Sequence, residues 1–114
     1  MKRILVIHGG AGVWPENRLH KAMEELKRIA KEGFGILSEK NAMEAVEYAV
    51  KEMEKSEVFN AGYGSALNLL GNVELDAGFM IGNGNAGAVA GIKNVLHPIT
   101  LAKYVMLETN HILL

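Results

Sequence analysis

At 114 residues the chain is long enough for one domain, or part of one, and too short for two. Hydrophobic residues make up 49% and charged residues 22%, a folding composition, and a formal net charge of −1 gives no electrostatic case for nucleic acid or an anionic membrane surface. The absence of cysteine excludes disulfides, thiolate zinc sites and a cysteine nucleophile.

Ile4-Leu5-Val6-Ile7 is a β-branched run stopped by Gly9 and Gly10, and it reads as a buried strand. It falls short of the about 7–15 apolar residues of a signal-peptide core. No apolar run approaches the roughly 18 needed to span a bilayer, so the expected location is the cytoplasm. Residues 17–32 read as a helix, with Leu19, Ala22, Met23, Leu26, Ile29 and Ala30 stepping at three and four. Gly33 and Gly35 are expected to end it. Ser38 reads as the N-cap of a second helix with Glu39 in its first turn, and Ala42, Ala45, Val46, Ala49, Val50 and Met53 as its inner stripe.

The texture changes after Asn60. Gly62 and Gly64 break the helical pattern, and residues 73–79 alternate with period two, the pattern of a strand. Gly71-Asn72 suits a hairpin turn that would bring residues 66–70 alongside as a partner strand. Residues 82–85 form a second turn, and residues 86–92 a strand of small side chains. Pro98 suits the first turn of a third helix, with His97 as a mediocre cap and Ile99, Ala102, Val105 and Met106 as its buried face. Residues 111–114 read as a further strand, cut off as it starts. Helices beside grouped strands give the class α+β, with a largely antiparallel sheet.

Charge is distributed unevenly over these elements. Residues 16–57 carry 18 basic and carboxylate side chains, whereas residues 58–114 carry only Glu74, Asp76, Lys93, Lys103 and Glu108. So few charges make a poor free surface, and the second half is expected to be covered by the first or by something else. Lys and Glu dominate the charges while Gln and Cys are absent, a balance found in hyperthermophile proteins.

Three groups of residues could carry chemistry. His8-Gly9-Gly10-Ala11-Gly12 follows the first strand and would let a backbone or ligand approach closely. It lacks the third glycine of a dinucleotide fingerprint, where Pro15 stands, and it has no P-loop Lys-Ser/Thr pair. A nucleotide-binding module is therefore a weak reading, and His8 fits a hydrogen-bonded structural histidine. Phe59-Asn60-Ala61-Gly62-Tyr63-Gly64 follows a helix end, where free carbonyls collect and could hold a hard cation. Glu74 and Asp76 share one face of a strand. They could act as an acid/base pair, or as hydrogen-bonded sheet residues with Asp76 buried against a partner. No serine or threonine sits in a nucleophile elbow.

Taken in order, His-Gly-Gly-Ala-Gly, Phe-Asn-Ala-Gly-x-Gly about fifty residues later, Gly-x-Val-x-Leu-Asp-Ala and Ala-Gly-Ala-Val-Ala resemble one family. It is the plant-type L-asparaginase/isoaspartyl aminopeptidase family of N-terminal nucleophile hydrolases, in its α-subunit, and the resemblance covers essentially the whole chain.

The resemblance implies that residues 1–114 are an α-subunit portion of a four-layer αββα sandwich that continues in a β-subunit. The precursor would cut itself to give a β-subunit beginning with Thr, whose hydroxyl is the nucleophile and whose α-amine is the base. Two such pairs would form an (αβ)2 assembly acting on L-asparagine or β-aspartyl (isoaspartyl) peptides. The stretch Asn85-Ala86-Gly87-Ala88-Val89 imitates the family's nucleophile string without a Thr, so the chain alone is expected to be inactive. By position, Asn60 would brace the site, Gly9 and Gly10 would pack near the scissile bond, and the backbone carbonyls of Met53, Glu54, Ser56, Phe59, Ala61 and Tyr63 would hold a structural sodium ion. Ile81 stands where the family often has Asp, and His97 where Asn often precedes Pro98. The alternative is a truncated or orphan chain kept as a non-catalytic structural or binding domain of the same fold.

Overall fold

The computed structural model describes residues 1–114 as an α+β chain. Helix α1 spans Glu16–Glu39 and α2 Ala42–Lys55. A single 3-10 turn at Gly62–Gly64 follows, then strand β1 at Leu75–Met80, β2 at Ala86–Ile92 and helix α3 at Pro98–Glu108. None of the helices is long and apolar enough to cross a membrane.

Helix α1 runs through both glycines expected to stop it. Gly33 is buried where the helix meets α2 and the N-terminal segment. A Cβ there would lie 2.9 Å from Leu5 Cδ2 and 3.8 Å from Ala49 Cβ. The residue is small for packing, which offsets its helix-propensity cost of about 1 kcal/mol. Ser38 consequently lies inside α1 and caps nothing. The cap of α2 is Asn41, whose Oδ1 accepts from Glu44 N at 2.9 Å. Ala49 packs with Ala22 and Ile29 of α1, and Ala45, also buried, lies with it beside Gly33. Ala42 and Val46, expected in the inner stripe, are exposed.

Strands β1 and β2 pair antiparallel around the expected turn, with Phe79 opposite Gly87 and Ala77 opposite Val89. Alternation puts Leu75, Ala77 and Phe79 on the face toward α3 and leaves Asp76, Gly78 and Met80 exposed. Gly87 is where α3 touches the sheet, because a Cβ there would overlap the Ala102 carbonyl and the Met106 amide. Phe79, Val89, Ile99, Ala102, Val105 and Met106 form the core between sheet and helix, and Ile81 packs against it. Residues 112–114 begin a parallel pairing on the other edge of β2. Ala88 N donates to Ile112 O at 2.6 Å, and Leu114 N donates to Ala88 O at 3.0 Å.

Two predicted strands do not form. Residues 4–7 have a strand's alternation, with Leu5 against Gly33 and Ile7 in the α1–α2 core, but no backbone partner. Ile4 and Val6 point outward, Val6 with 84% of its surface exposed. Residues 66–70 are replaced by a turn around Asn68, whose Oδ1 accepts from Leu70 N and Asn72 N at 3.0 Å each. Local side-chain bonds compete with the ladder there, and only Asn68 N to Asn72 O survives as a rung.

The accessible surface is 7904 Å². A monomer of this mass is expected to expose about 6,100 Å², so roughly 1,800 Å² more is open than folding alone explains. Exposed large apolar side chains occur at the N-terminal segment, at Ile4, Val6 and Val13, and more often in the charge-poor half, at Leu67, Leu69, Leu70, Met80, Ile112 and Leu113 among others. The first half covers the second only in part, through Met43 and Val50 of α2 against its core.

Candidate functional site

The last turn of α2 carries a buried carboxylate. Glu54 is 2% exposed. Its Oε1 accepts from Ile99 N at 3.0 Å, and its Oε2 lies 3.0 Å from His97 Nδ1. Pro98 has no N–H and His97 makes no side-chain cap, so Glu54 supplies the acceptor that the start of α3 needs. Burial raises the Glu54 carboxyl above its ordinary range, opposed by the bonds from Ile99 and His97. The sequence reading placed only the backbone of Glu54 in a site. The available signal was position, since Glu54 falls four residues after Val50 on the apolar stripe, and a charge there requires a partner.

Residues 56–64 fold back on this turn. Gly62 adopts φ +54°, and a Cβ there would overlap the Glu54 carbonyl; one at Gly64 would overlap the Phe59 carbonyl. Ala61 N donates to Phe59 O at 2.9 Å and Gly64 N to Ala61 O at 3.1 Å, leaving each carbonyl one free lone pair. The Glu54 carbonyl thus lies against Gly62, and the Glu57 and Phe59 carbonyls against Gly64. No group of three or more His, Asp or Glu side chains gathers elsewhere as a metal site.

Gly9, Gly10 and Asn60 come together. They line one cleft of about 370 Å³ together with Trp14, Arg18 and Val58. Gly9 lies against the Phe59 ring, where a Cβ would come within 2.9 Å. The Trp14 and Phe59 rings meet edge to face at 6.3 Å and 77°. Arg18 stands 5.7 Å over the Trp14 ring and donates from Nη2 to Val58 O at 3.2 Å. Asn60 is exposed. Its Oδ1 accepts from Ala66 N at 2.8 Å, leaving the Nδ2 donors free of protein partners. On its other side Asn60 lines a second cleft of about 450 Å³ with Glu54, Ser65, Glu74 and Asp76.

The remaining candidates divide. His8 points outward with Ile4 and Val6 and makes no hydrogen bond, so it is not the bonded structural histidine expected. Glu74 pairs with Lys93 at 3.3 Å. Asp76 Oδ1 accepts from Gly91 N at 2.8 Å across the register shift between Leu75 and Ala77. Asp76 therefore has its partner but is not buried, and the two carboxylates are separate sheet braces, not an acid/base pair. Thr100 donates to Glu47, and Thr109 donates to Val105 O; neither lines the cleft.

The fold is of the α+β class, with a glycine loop and an asparagine with free donors lining one cleft. The chain belongs to the asparaginase family, whose model, described as Asparaginase, matches residues 1–114. It is 46% identical over 112 residues to the plant-type L-asparaginase of Thermococcus kodakarensis, covering 96% of this chain and 37% of that protein. It is 44% identical over 116 residues to the isoaspartyl peptidase/L-asparaginase of Xenopus laevis, covering 100% of this chain and 38% of that one. The chain thus spans somewhat more than a third of the curated relatives it matches.

Proposed function

We propose that this chain supplies the α-part of a threonine-dependent amidohydrolase that cleaves L-asparagine, β-aspartyl peptides or both to aspartate. The observation that carries the reading is the convergence of Gly9, Gly10 and Asn60 in one cleft. The names of the relatives indicate the amide class. The nucleophile would come from a β-chain that begins with Thr and packs over the charge-poor half, forming the four-layer sandwich and pairing into an (αβ)2 particle. The roughly 1,800 Å² of surplus surface supports such a cover.

In that assembly the Thr hydroxyl attacks the amide carbonyl and its own α-amine takes the proton. The C–N bond breaks, ammonia or an amine leaves with a proton, and water then hydrolyses the Thr ester to release aspartate. Asn60 Nδ2 is the donor that this chain offers to the site, fixed in direction because Oδ1 holds Ala66 N. Gly9 and Gly10 let the reacting segment approach the backbone. The carbonyls of Met53, Glu54, Ser56, Phe59, Ala61 and Tyr63 would hold a sodium ion that rigidifies the loop carrying Asn60.

The test is ammonia and aspartate release by the purified chain, alone and with a Thr-led partner. The expected result is no turnover alone and turnover with the partner. Turnover by the chain alone would falsify the division of labour. A native particle made only of these 114-residue chains, inactive on both substrates, would favour a non-catalytic domain of the same fold.

A further inference from the structure

Two arginines on α1 are treated oppositely. Arg28 is held by Glu25, Glu32 and Glu52. Arg18 has no carboxylate partner, and the two groups that hold it, the Val58 carbonyl and the Trp14 ring, are both neutral. Only one of the five guanidinium N–H donors is used, so Arg18 keeps its full charge and most of its hydrogen-bonding capacity. It lines the same cleft as Gly9, Gly10 and Asn60. An aromatic face and a carbonyl fix the direction of the cation without neutralising it, which is how a binding cation is built.

The chemistry of the proposed reaction says which anion would arrive. L-asparagine releases ammonia, which has nothing for Arg18 to bind. A β-aspartyl dipeptide releases an amino acid whose free α-carboxylate is still attached beside the breaking bond. Arg18 is anchored at Val58, two residues from Asn60, and lines the same cleft as Asn60. A single released residue spans about 3.8 Å, and a charge-assisted hydrogen bond adds about 2.8 Å. One cleft holds Arg18 beside Asn60 and Gly10, so a leaving residue of that length can lie with its carboxylate toward Arg18 and its scissile end toward Asn60. Resting on the amidohydrolase reading, the geometry points to Arg18 as the group that binds the α-carboxylate of the leaving residue, selecting free β-aspartyl dipeptides over L-asparagine.

The test compares the complete enzyme, this chain with its Thr-led partner, with its Arg18→Gln and Arg18→Lys variants. Three substrates are used: L-asparagine, a β-aspartyl dipeptide with a free C-terminus, and the same dipeptide capped as a C-terminal amide. Arg18→Gln should lose about tenfold in kcat/KM on the free dipeptide, chiefly through KM, and stay within about twofold on the other two. Arg18→Lys should recover part of that loss, because the charge remains and the fork does not. Equal losses on all three substrates would overturn the assignment, since they would report a structural role through Val58. A parent enzyme that hydrolyses L-asparagine and neither dipeptide would overturn it too, while leaving the amidohydrolase reading intact. A parent inactive on all three would overturn that reading and the assignment with it.

Discussion

Glu54 and His97 meet at 3.0 Å, Oε2 to Nδ1, and this contact ties the end of α2 to the start of α3. The second oxygen of the same carboxylate takes the Ile99 amide, so one buried side chain holds both the residue before α3 and an amide of its first turn. Glu54→Ala should leave two polar groups unpaired in a nearly dry site and cost about 2–4 kcal/mol. Glu54→Gln keeps an acceptor for Ile99 and a donor for a neutral His97, and should cost less than about 1 kcal/mol. Urea unfolding midpoints of the two variants measure the difference. Equal losses would mean that Glu54 matters for its charge and not for its hydrogen bonds.

Gly62 is the residue on which the loop geometry turns. Its φ of +54° disfavours any side chain, and the Glu54 carbonyl occupies the space a Cβ would need. Gly62→Ala should therefore cost more than the about 1–3 kcal/mol of an ordinary left-handed residue. Because backbone and not a flexible side chain is displaced, the loop should open and Asn60 should lose its bond to Ala66. Amide exchange at Ala66 reports this directly, and unchanged protection would contradict it.

What was legible in the sequence followed from local pattern. Strand β2 and the start of α3 sit where small-residue alternation and Pro98 place them. What was not legible depended on neighbours. Gly33 looked like a stop because glycine is a poor helix former, but Leu5 and Ala49, distant in sequence, decide its use. Residues 4–7 have a strand's spacing and no strand's partner within the chain. In the cleft, Gly9, Gly10 and Asn60 were recognisable through ordered family motifs. Trp14 and Arg18 were not, because an aromatic and a cation four apart at a helix start form no motif until the fold sets them against Val58 and Phe59.

On the proposed reading, Asn60 divides structure from chemistry between its two amide atoms. Asn60→Asp retains an oxygen for Ala66 N and removes the free donors, so the loop should keep its fold. In the assembled enzyme kcat should fall about 100-fold or more, the usual cost of one lost donor in a reacting site. Asn60→Ala should lose the same donor and destabilise the loop by about 1 kcal/mol. Turnover at the parent rate in Asn60→Asp would remove Asn60 from the catalytic machinery.

The sodium assignment predicts a cation-specific stability. If the carbonyl loop binds an alkali ion only when folded, sodium should raise the melting temperature by mass action, and tetramethylammonium at equal ionic strength should not. Gly62→Ala should abolish the difference, since it moves the Glu54 carbonyl. Identical melting curves in the two buffers would remove sodium from the loop.

Acid stability should depend on the contact between α2 and α3. Burial works to raise the Glu47 carboxyl, but the bonds from Lys103 and Thr100 outweigh it and hold the group below its ordinary range. A carboxyl depressed in the folded state binds its proton more readily when unfolded, so its stabilisation is complete above the unfolded value and is lost as pH falls through the folded one. The loss should therefore begin near pH 5 and be complete once Glu47 is protonated in both states. Glu47→Gln removes the titration while keeping an acceptor for Thr100. It should lower stability at pH 7 and flatten its decline below pH 5, so that the two unfolding curves converge in acid. Parallel declines in variant and parent would place the acid sensitivity elsewhere, with the Arg28 carboxylate cluster the next pairing to examine.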